Sequence, residues 1–276
     1  MNLVLQGPSL GFEEVNAVAR MAASTRTEQI AAHAWRIRSA TRTGAIAEYC
    51  GQKRIDHAFV AEGRRFADLK LLAMDMDSTL ITIECIDELG DLAGRKAEIA
   101  GITAQAMRGE VDYAESLRRR VSLLAGMPES ALARVYEERL RLTPGAEPLL
   151  AACKRHGIKV LLVSGGFTFF VERLKARLGI DYTISNRLEA GGGKLTGRLV
   201  GEIVDADAKA AKFASVLKDL RATKEQSLAI GDGANDLKMM ALAGLSVAFH
   251  AKPAVKAKAG CALDFSGLDA VRNLLE

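Results

Sequence analysis

Asp75 and Asp77 stand one residue apart in Asp75-Met76-Asp77-Ser78-Thr79, directly after the apolar run Leu71-Leu72-Ala73-Met74. In extended backbone, residues i and i+2 project to the same side, so the two carboxylates are brought toward one small volume. Adjacent anions repel, and such a pair is tolerable mainly when a cation sits between them or one of them holds a proton. A polar turn at the end of an ordinary strand would show the same two letters, so the rest of the chain has to decide. The apolar run predicts a buried parallel strand, and the acids then fall at its carboxyl end, where open α/β sheets place their chemistry.

Three further pieces follow in order. Lys159-Val160-Leu161-Leu162-Val163 is a second apolar run closed by Ser164-Gly165-Gly166, and Phe167 to Leu178 has helical spacing with Gly179 as its stop. Glycines there allow close backbone approach, and a serine hydroxyl with free N–H groups at a helix start suits an anion such as phosphate. Lys209 lies in the first turns of another predicted helix, beginning near Asp205. Ser227-Leu228-Ala229-Ile230 then leads into Gly231-Asp232-Gly233-Ala234-Asn235-Asp236, a third strand end with a glycine turn and more acids. Singly, each reads as a turn residue, a solvated charge or a helix cap. As an ordered set they point to one phosphate-handling site.

With these motifs in order, residues 69 to 270 resemble the haloacid dehalogenase superfamily of phosphotransferases, and within it the phosphoserine phosphatase family. The core motifs at Asp75 to Leu80, Ser164, Lys209 and Gly231 to Asp236 carry the superfamily resemblance. Glu84-Cys85-Ile86-Asp87-Glu88, Ser116-Leu117-Arg118-Arg119-Arg120-Val121, Ser164-Gly165-Gly166-Phe167, Lys194-Leu195-Thr196-Gly197 and His250-Ala251-Lys252-Pro253 carry the narrower one. The resemblance implies an α/β fold: a Rossmann-like parallel sheet with a helical cap inserted after its first strand, about residues 82 to 143. It also implies Mg²⁺-dependent hydrolysis of O-phospho-L-serine, the last step of serine synthesis.

A phosphomonoester is close to a dianion near neutral pH, so an attacking carboxylate needs positive charge supplied first. Mg²⁺ fits, being hard, oxygen-seeking and commonly bound by one or two carboxylates plus a substrate phosphate. Asp75 and Asp232 are the expected side-chain ligands. By resemblance the Asp77 carbonyl adds a third contact and Asp236 supports the site. Asp75 is then the nucleophile, giving an aspartyl-phosphate, and Asp77 the acid that becomes the base. Ser164, the Gly165 N–H and Lys209 would hold the transferring oxygens. The family pattern adds Gly166 and Asn235 to the substrate contacts.

The expected cap is too long for a simple connection and is helical in pattern. Phosphoserine carries an ammonium and a carboxylate, so its reader needs an acid and a base; Glu84 and Arg120 fit. Successive helical residues point about 100° apart, so Arg118, Arg119 and Arg120 cannot all face one pocket; the choice of Arg120 rests on the resemblance. Met107 and Tyr113 are implied as pocket-lining residues, with Tyr113 standing where relatives commonly have phenylalanine. Transfer to a second acceptor such as homoserine stays open at this point. So does an amino-acid-sensing binder acting through residues 1 to 68, although the intact pair Asp75 and Asp77 weighs against it.

Among 276 residues, 49% hydrophobic and 26% charged, nothing points to disorder. No apolar stretch approaches the roughly 20 residues that span a bilayer, and the first residues lack the pattern of a signal peptide, so no membrane partner is expected. The 4 cysteines form no close pairs, which favours free thiols and a cytoplasmic location. The net charge of +4 is mild, and Arg36, Arg38 and Arg42 lack interleaved aromatics, so no nucleic-acid partner is expected. Residues 1 to 68 predict a small β-α-β-α-β domain, with strands at Asn2 to Gln6, Glu28 to Arg36 and Asp56 to Val60. It weakly resembles the ferredoxin-like regulatory domains of related phosphatases, and packing or homodimerisation is the plainer role. Residues 181 to 204 predict strands around a turn at Gly191-Gly192-Gly193.

Overall fold

The computed structural model describes residues 1–276. The chain opens with β1 (Asn2–Gln6), α1 (Phe12–Met21), β2 (Thr27–Ala31), β3 (Ala34–Ile37), α2 (Gly44–Lys53) and β4 (Asp56–Val60). Their sheet has the order β2-β3-β1-β4, with β1 antiparallel to both neighbours. This is the β-α-β-β-α-β arrangement of ferredoxin-like folds. The single strand expected over Glu28 to Arg36 is corrected to a hairpin, because the chain reverses at Ala32 and His33.

A second sheet follows. Its elements are β5 (Leu71–Asp75), then α3 (Cys85–Leu92), α4 (Lys96–Met107), α5 (Tyr113–Ser122) and α6 (Ser130–Arg134) before the chain returns through α7 (Ala146–Arg155). Next come β6 (Lys159–Phe167), α8 (Thr168–Leu178), β7 (Tyr182–Gly191), β8 (Lys194–Val200) and α9 (Ala206–Asp219). The chain finishes through β9 (Ser227–Gly231), α10 (Leu237–Leu242), β10 (Leu245–Phe249), α11 (Pro253–Lys256) and β11 (Cys261–Leu263). The strand order is β11-β10-β9-β5-β6-β7-β8, parallel throughout except for β8, which runs antiparallel to β7 across the turn at Gly192 and Gly193.

The central strands are continuously apolar over residues 71–74, 160–163 and 228–230 because both faces are covered. Leu72 and Met74 of β5 join Leu162 and Ile230 in one core cluster, while Leu71 and Ala73 join Leu161, Val163 and Ala229 in another. That alternation is the two-residue period of a strand buried on both sides. Register then sets the height of the strand ends. Met74 pairs with Leu162 and Ile230, and Asp75 with Val163. Ser164 and Asp232 therefore emerge within a residue or two of Asp75 on the two flanking strands. No helix is long and apolar enough to cross a membrane.

The first sheet is bonded to the end of the chain. The buried Asp56 carboxylate accepts from the N–H groups of Asp264 (2.6 Å), Phe265 and Ser266 (2.9 Å), and Arg36 donates to the carbonyls of Asn273 and Leu275. Val4, Ala58 and Val60 enter the larger core cluster.

Candidate active site

Asp75, the last residue of β5, is buried, and its Oδ1 accepts from the Met76 N–H at 2.8 Å and from Lys209 Nζ at 2.9 Å. Both partners fall on one oxygen, which leaves Oδ2 without a hydrogen bond from the protein. Lys209 is fully buried in the first turn of α9 and also donates to Asp236 Oδ1 at 2.8 Å. Burial alone would lower the Lys209 pKa, but the Asp236 and Asp75 carboxylates outweigh it and hold the ammonium charged above its ordinary range. Asp236 is held in turn by the Gly233 N–H at 3.1 Å.

One carboxylate oxygen each from Asp75, Asp232 and Asp236 lies within 4.8 Å of the others. Burial, then Asp236, pushes Asp75 well above the usual carboxylate range against the pull of Lys209. The same two causes push Asp232 up to about 6, with Lys209 and Lys252 acting in the other direction. Three carboxylates against one ammonium are an electron-rich, hard-oxygen set whose repulsion a divalent cation would offset, so the donors fit a divalent metal.

Past Asp75 the chain does not continue straight. Ser78 takes a left-handed φ of 56°, and the loop closes where the Ile81 N–H donates to the Met76 carbonyl. This turn carries Asp77 sideways. Its Oδ1 accepts from the Cys85 N–H at 2.8 Å, and its Oδ2 faces the Ser164 hydroxyl at 3.5 Å. Burial raises the Asp77 pKa despite the Cys85 hydrogen bonds. Ser164 Oγ accepts from the Gly166 N–H at 2.8 Å. A side chain at Gly166 would strike Asp77 Oδ2, 2.5 Å from the added carbon. The expectation that Ser164-Gly165-Gly166 opens a helix is corrected: β6 runs on to Phe167, with a register shift against β7, and α8 starts at Thr168. The available N–H groups belong to an irregular strand end.

The chain entering α3 and the start of α5 bring Glu84 and Tyr113 beside this face. Glu84 Oε1 accepts from the Ser78 hydroxyl at 2.6 Å. Glu84 reaches solvent but is walled in on most sides, and that desolvation, followed by the Asp77 charge, pushes its carboxyl up to about 8. The Tyr113 hydroxyl packs against the bare backbone of Gly165, and burial pushes it up to about 12, with Lys209 and Arg120 pulling it back. Arg120 is half-buried with its Nε 3.4 Å from the Ser116 carbonyl, whereas Arg118 and Arg119 point to solvent. Asn235 is half-buried in the turn after β9, its Oδ1 against Gly233. Met107 is the outlier. It is 62% exposed at the end of α4, its sulfur 3.4 Å from Lys252 Nζ.

Two positioning residues went unassigned from the sequence: Asn186, outside every motif, and Thr79, inside the first motif but without a role there. Asn186, 2% exposed within β7, donates to the Gly165 carbonyl and accepts from the Val204 N–H, both at 2.8 Å, fixing the peptide beside Ser164. Fully buried Thr79 places its hydroxyl 3.4 Å from Asp232 Oδ1. A polar residue inside a strand, or one more hydroxyl in a loop, is the only sequence signal either gives.

Residues 72–241 match the family model of haloacid dehalogenase-like hydrolases. A phosphoserine phosphatase from Polaromonas sp. (strain JS666) is 54% identical over 217 residues, covering 77% of this chain and 92% of that protein. The unliganded crystal structure of a probable phosphoserine phosphatase from Vibrio cholerae superposes with a TM-score of 0.85 at 37% identity, covering 99% of this chain and 86% of the other. A phospho-aspartyl intermediate analogue of phosphoserine phosphatase matches with a TM-score of 0.71 at 39% identity, over 75% of this chain and 99% of its own. The chain belongs to the haloacid dehalogenase-like hydrolases and, among them, to the phosphoserine phosphatase family. It is accordingly a phosphatase.

Proposed function

We propose that this chain hydrolyses O-phospho-L-serine to L-serine and inorganic phosphate through an aspartyl-phosphate on Asp75. The observation that carries the reading is the buried Lys209 ammonium, which holds Oδ1 of Asp75 and leaves Oδ2 free to attack at the mouth of three adjacent strand ends. Asp75 Oδ2 forms a bond to phosphorus as the ester P–O bond breaks. Asp77, with its pKa raised by burial, gives its proton to the departing serine oxygen. Asp77 then takes a proton from water as the water oxygen attacks phosphorus and releases Asp75 and phosphate. Ser164, the Gly165 N–H and Lys209 steady the phosphoryl oxygens, with Gly166 and Asn235 bordering them. The relative that forms a phospho-aspartyl analogue supports the covalent route.

Mg²⁺ is the proposed metal, held by Asp75, Asp232 and the Asp77 carbonyl, with Asp236 positioning Lys209 rather than serving as a ligand. When bound it offsets the repulsion between nucleophile and phosphate. Glu84 reads the substrate ammonium and Arg120 its carboxylate. Residues 82 to 143 act as the cap over this face, and Tyr113 closes against Gly165. Residues 1 to 68 form a separate unit for packing or dimerisation, consistent with a family match that begins at residue 72.

The test is a panel of phosphomonoesters assayed with Mg²⁺, after thorough chelation and after Mg²⁺ is restored. Phosphoserine should lead the panel, with turnover lost on chelation and recovered with the metal. A generic aryl phosphate turned over with equal kcat/KM would remove the substrate assignment. Activity indifferent to chelation would remove the metal.

A further inference from the structure

A cavity of about 300 Å³ lies where the first sheet meets the end of the chain, lined in part by Arg36, Phe66, His156, Arg272, Asn273 and Glu276. Arg36 is only 5% exposed. Its Nη2 donates to the carbonyls of Leu275 (2.8 Å) and Asn273 (3.2 Å), while its buried Nε has no partner. Arg272 likewise has a buried Nε without a partner, and its guanidinium lies 5.8 Å from the centre of the Phe66 ring. Neither guanidinium comes within 4.0 Å of a carboxylate. Glu276 supplies the one acidic side chain in the lining, and that carboxylate is already engaged by Arg38 at 3.3 Å and by Asn2 at 3.1 Å.

Arginine stays protonated in proteins, so both charges are permanent. Two like charges that share a cavity, Arg36 buried and Arg272 half-buried, repel, and carbonyl oxygens offset only part of that cost. Both guanidinium groups line the cavity, and the planar N–H fork of an arginine matches an oxyanion. Exposed His156, edge-on to Phe66 at 5.7 Å between ring centres, marks the solvent side through which such a group can enter.

We propose that this cavity is a binding site for a small oxyanion held between Arg36 and Arg272. The site lies outside the catalytic constellation, shares no residue with it and does not depend on the reading of the Asp75 site. Arg36 belongs to β3 and Arg272 to the turn after β11, so the bound anion ties the first sheet to the end of the second. Phosphate and carboxylate share this chemistry, and experiment separates them.

The metal-loaded full-length protein is titrated calorimetrically with inorganic phosphate and, separately, with acetate, beside Arg272→Gln. Competition against turnover of an aryl phosphate identifies any binding at Asp75. The expected result is an additional, non-competitive site for at least one of the two anions. Arg272→Gln should weaken that site about tenfold or more, as loss of a charge-assisted contact does, with kcat and KM near the parent values. Phosphate alone at the extra site identifies a tetrahedral ligand and acetate a carboxylate, and either supports the proposal. Wild-type protein that binds neither anion outside the competitive site overturns it, whether or not the variant folds. An extra site that persists unchanged in a folded Arg272→Gln also overturns it.

Discussion

Three consecutive arginines test how much a single side chain decides. Arg118 and Arg119 are 62% and 50% exposed at the side chain, with Glu115 4.0 and 2.8 Å away, while Arg120 turns inward beside Tyr113. If Arg120 reads the substrate carboxylate, Arg120→Ala removes a contact that only an amino-acid substrate makes. The loss should be about 2 to 5 kcal/mol, roughly 30-fold to several thousand-fold in kcat/KM for phosphoserine, with a far smaller fall for an aryl phosphate. The ratio of the two kcat/KM values is the measurement, and Arg118→Ala and Arg119→Ala are the controls. A parent ratio in Arg120→Ala sinks the assignment. Glu84 makes a pH prediction of the same kind. A carboxyl raised toward about 8 is neutral below its pKa and cannot hold an ammonium, so kcat/KM for phosphoserine should rise with pH through a limb between the ordinary carboxylate range and about 8. An aryl phosphate should lack that limb, and so should Glu84→Gln with phosphoserine. Superimposable profiles for the two substrates would assign the limb elsewhere.

At the scale of elements, the strands that carry the proposed site were legible because burial on both faces makes them continuous apolar runs with punctuated ends. β5, β6 and β9 all appear that way. The β2–β3 hairpin was not legible, because its reversal at Ala32 and His33 uses none of the usual turn residues. Lys209 shows a second limit: its local pattern is that of a solvated helical charge, and only packing of α9 against the strand ends buries it. Met107 shows a third, since its contact with Lys252, 145 residues along the chain, is named by no local pattern. The Tyr113 hydroxyl, at the start of α5, meets Gly165 of β6, with the ring carbon bearing it 3.3 Å from where a Cβ would stand. Gly165→Ala should therefore block closure and lower kcat/KM by about tenfold or more, since small misplacements at a closed site are costly. Adding Tyr113→Phe should restore much of the loss, because the two changes share one contact. A double variant no better than Gly165→Ala, with both folded, would show that the steric clash is not the cause.

At the scale of the whole molecule, the first sheet is held to the second by buried polar groups as well as by apolar contact. Asp56 is the clearest of these: 3% exposed, it gathers the N–H groups of Asp264, Phe265 and Ser266 from a stretch 208 to 210 residues away. From sequence it reads as a charged residue at the edge of a strand, since nothing local names its distant partners. A carboxylate accepting several backbone donors is worth more than a neutral acceptor, and removing it leaves those donors buried without partners. Asp56→Asn keeps the volume but turns an amide toward donors. It should cost about 2 to 4 kcal/mol of unfolding free energy, read as a lower urea midpoint at an unchanged slope. The site proposed at the ends of β5, β6 and β9 does not include Asp56, so kcat/KM for phosphoserine at temperatures where the variant is folded should stay at the parent value. A midpoint equal to the parent's would mean that water replaces these bonds freely. A folded variant with depressed kcat/KM would mean that docking of the first sheet shapes the catalytic face.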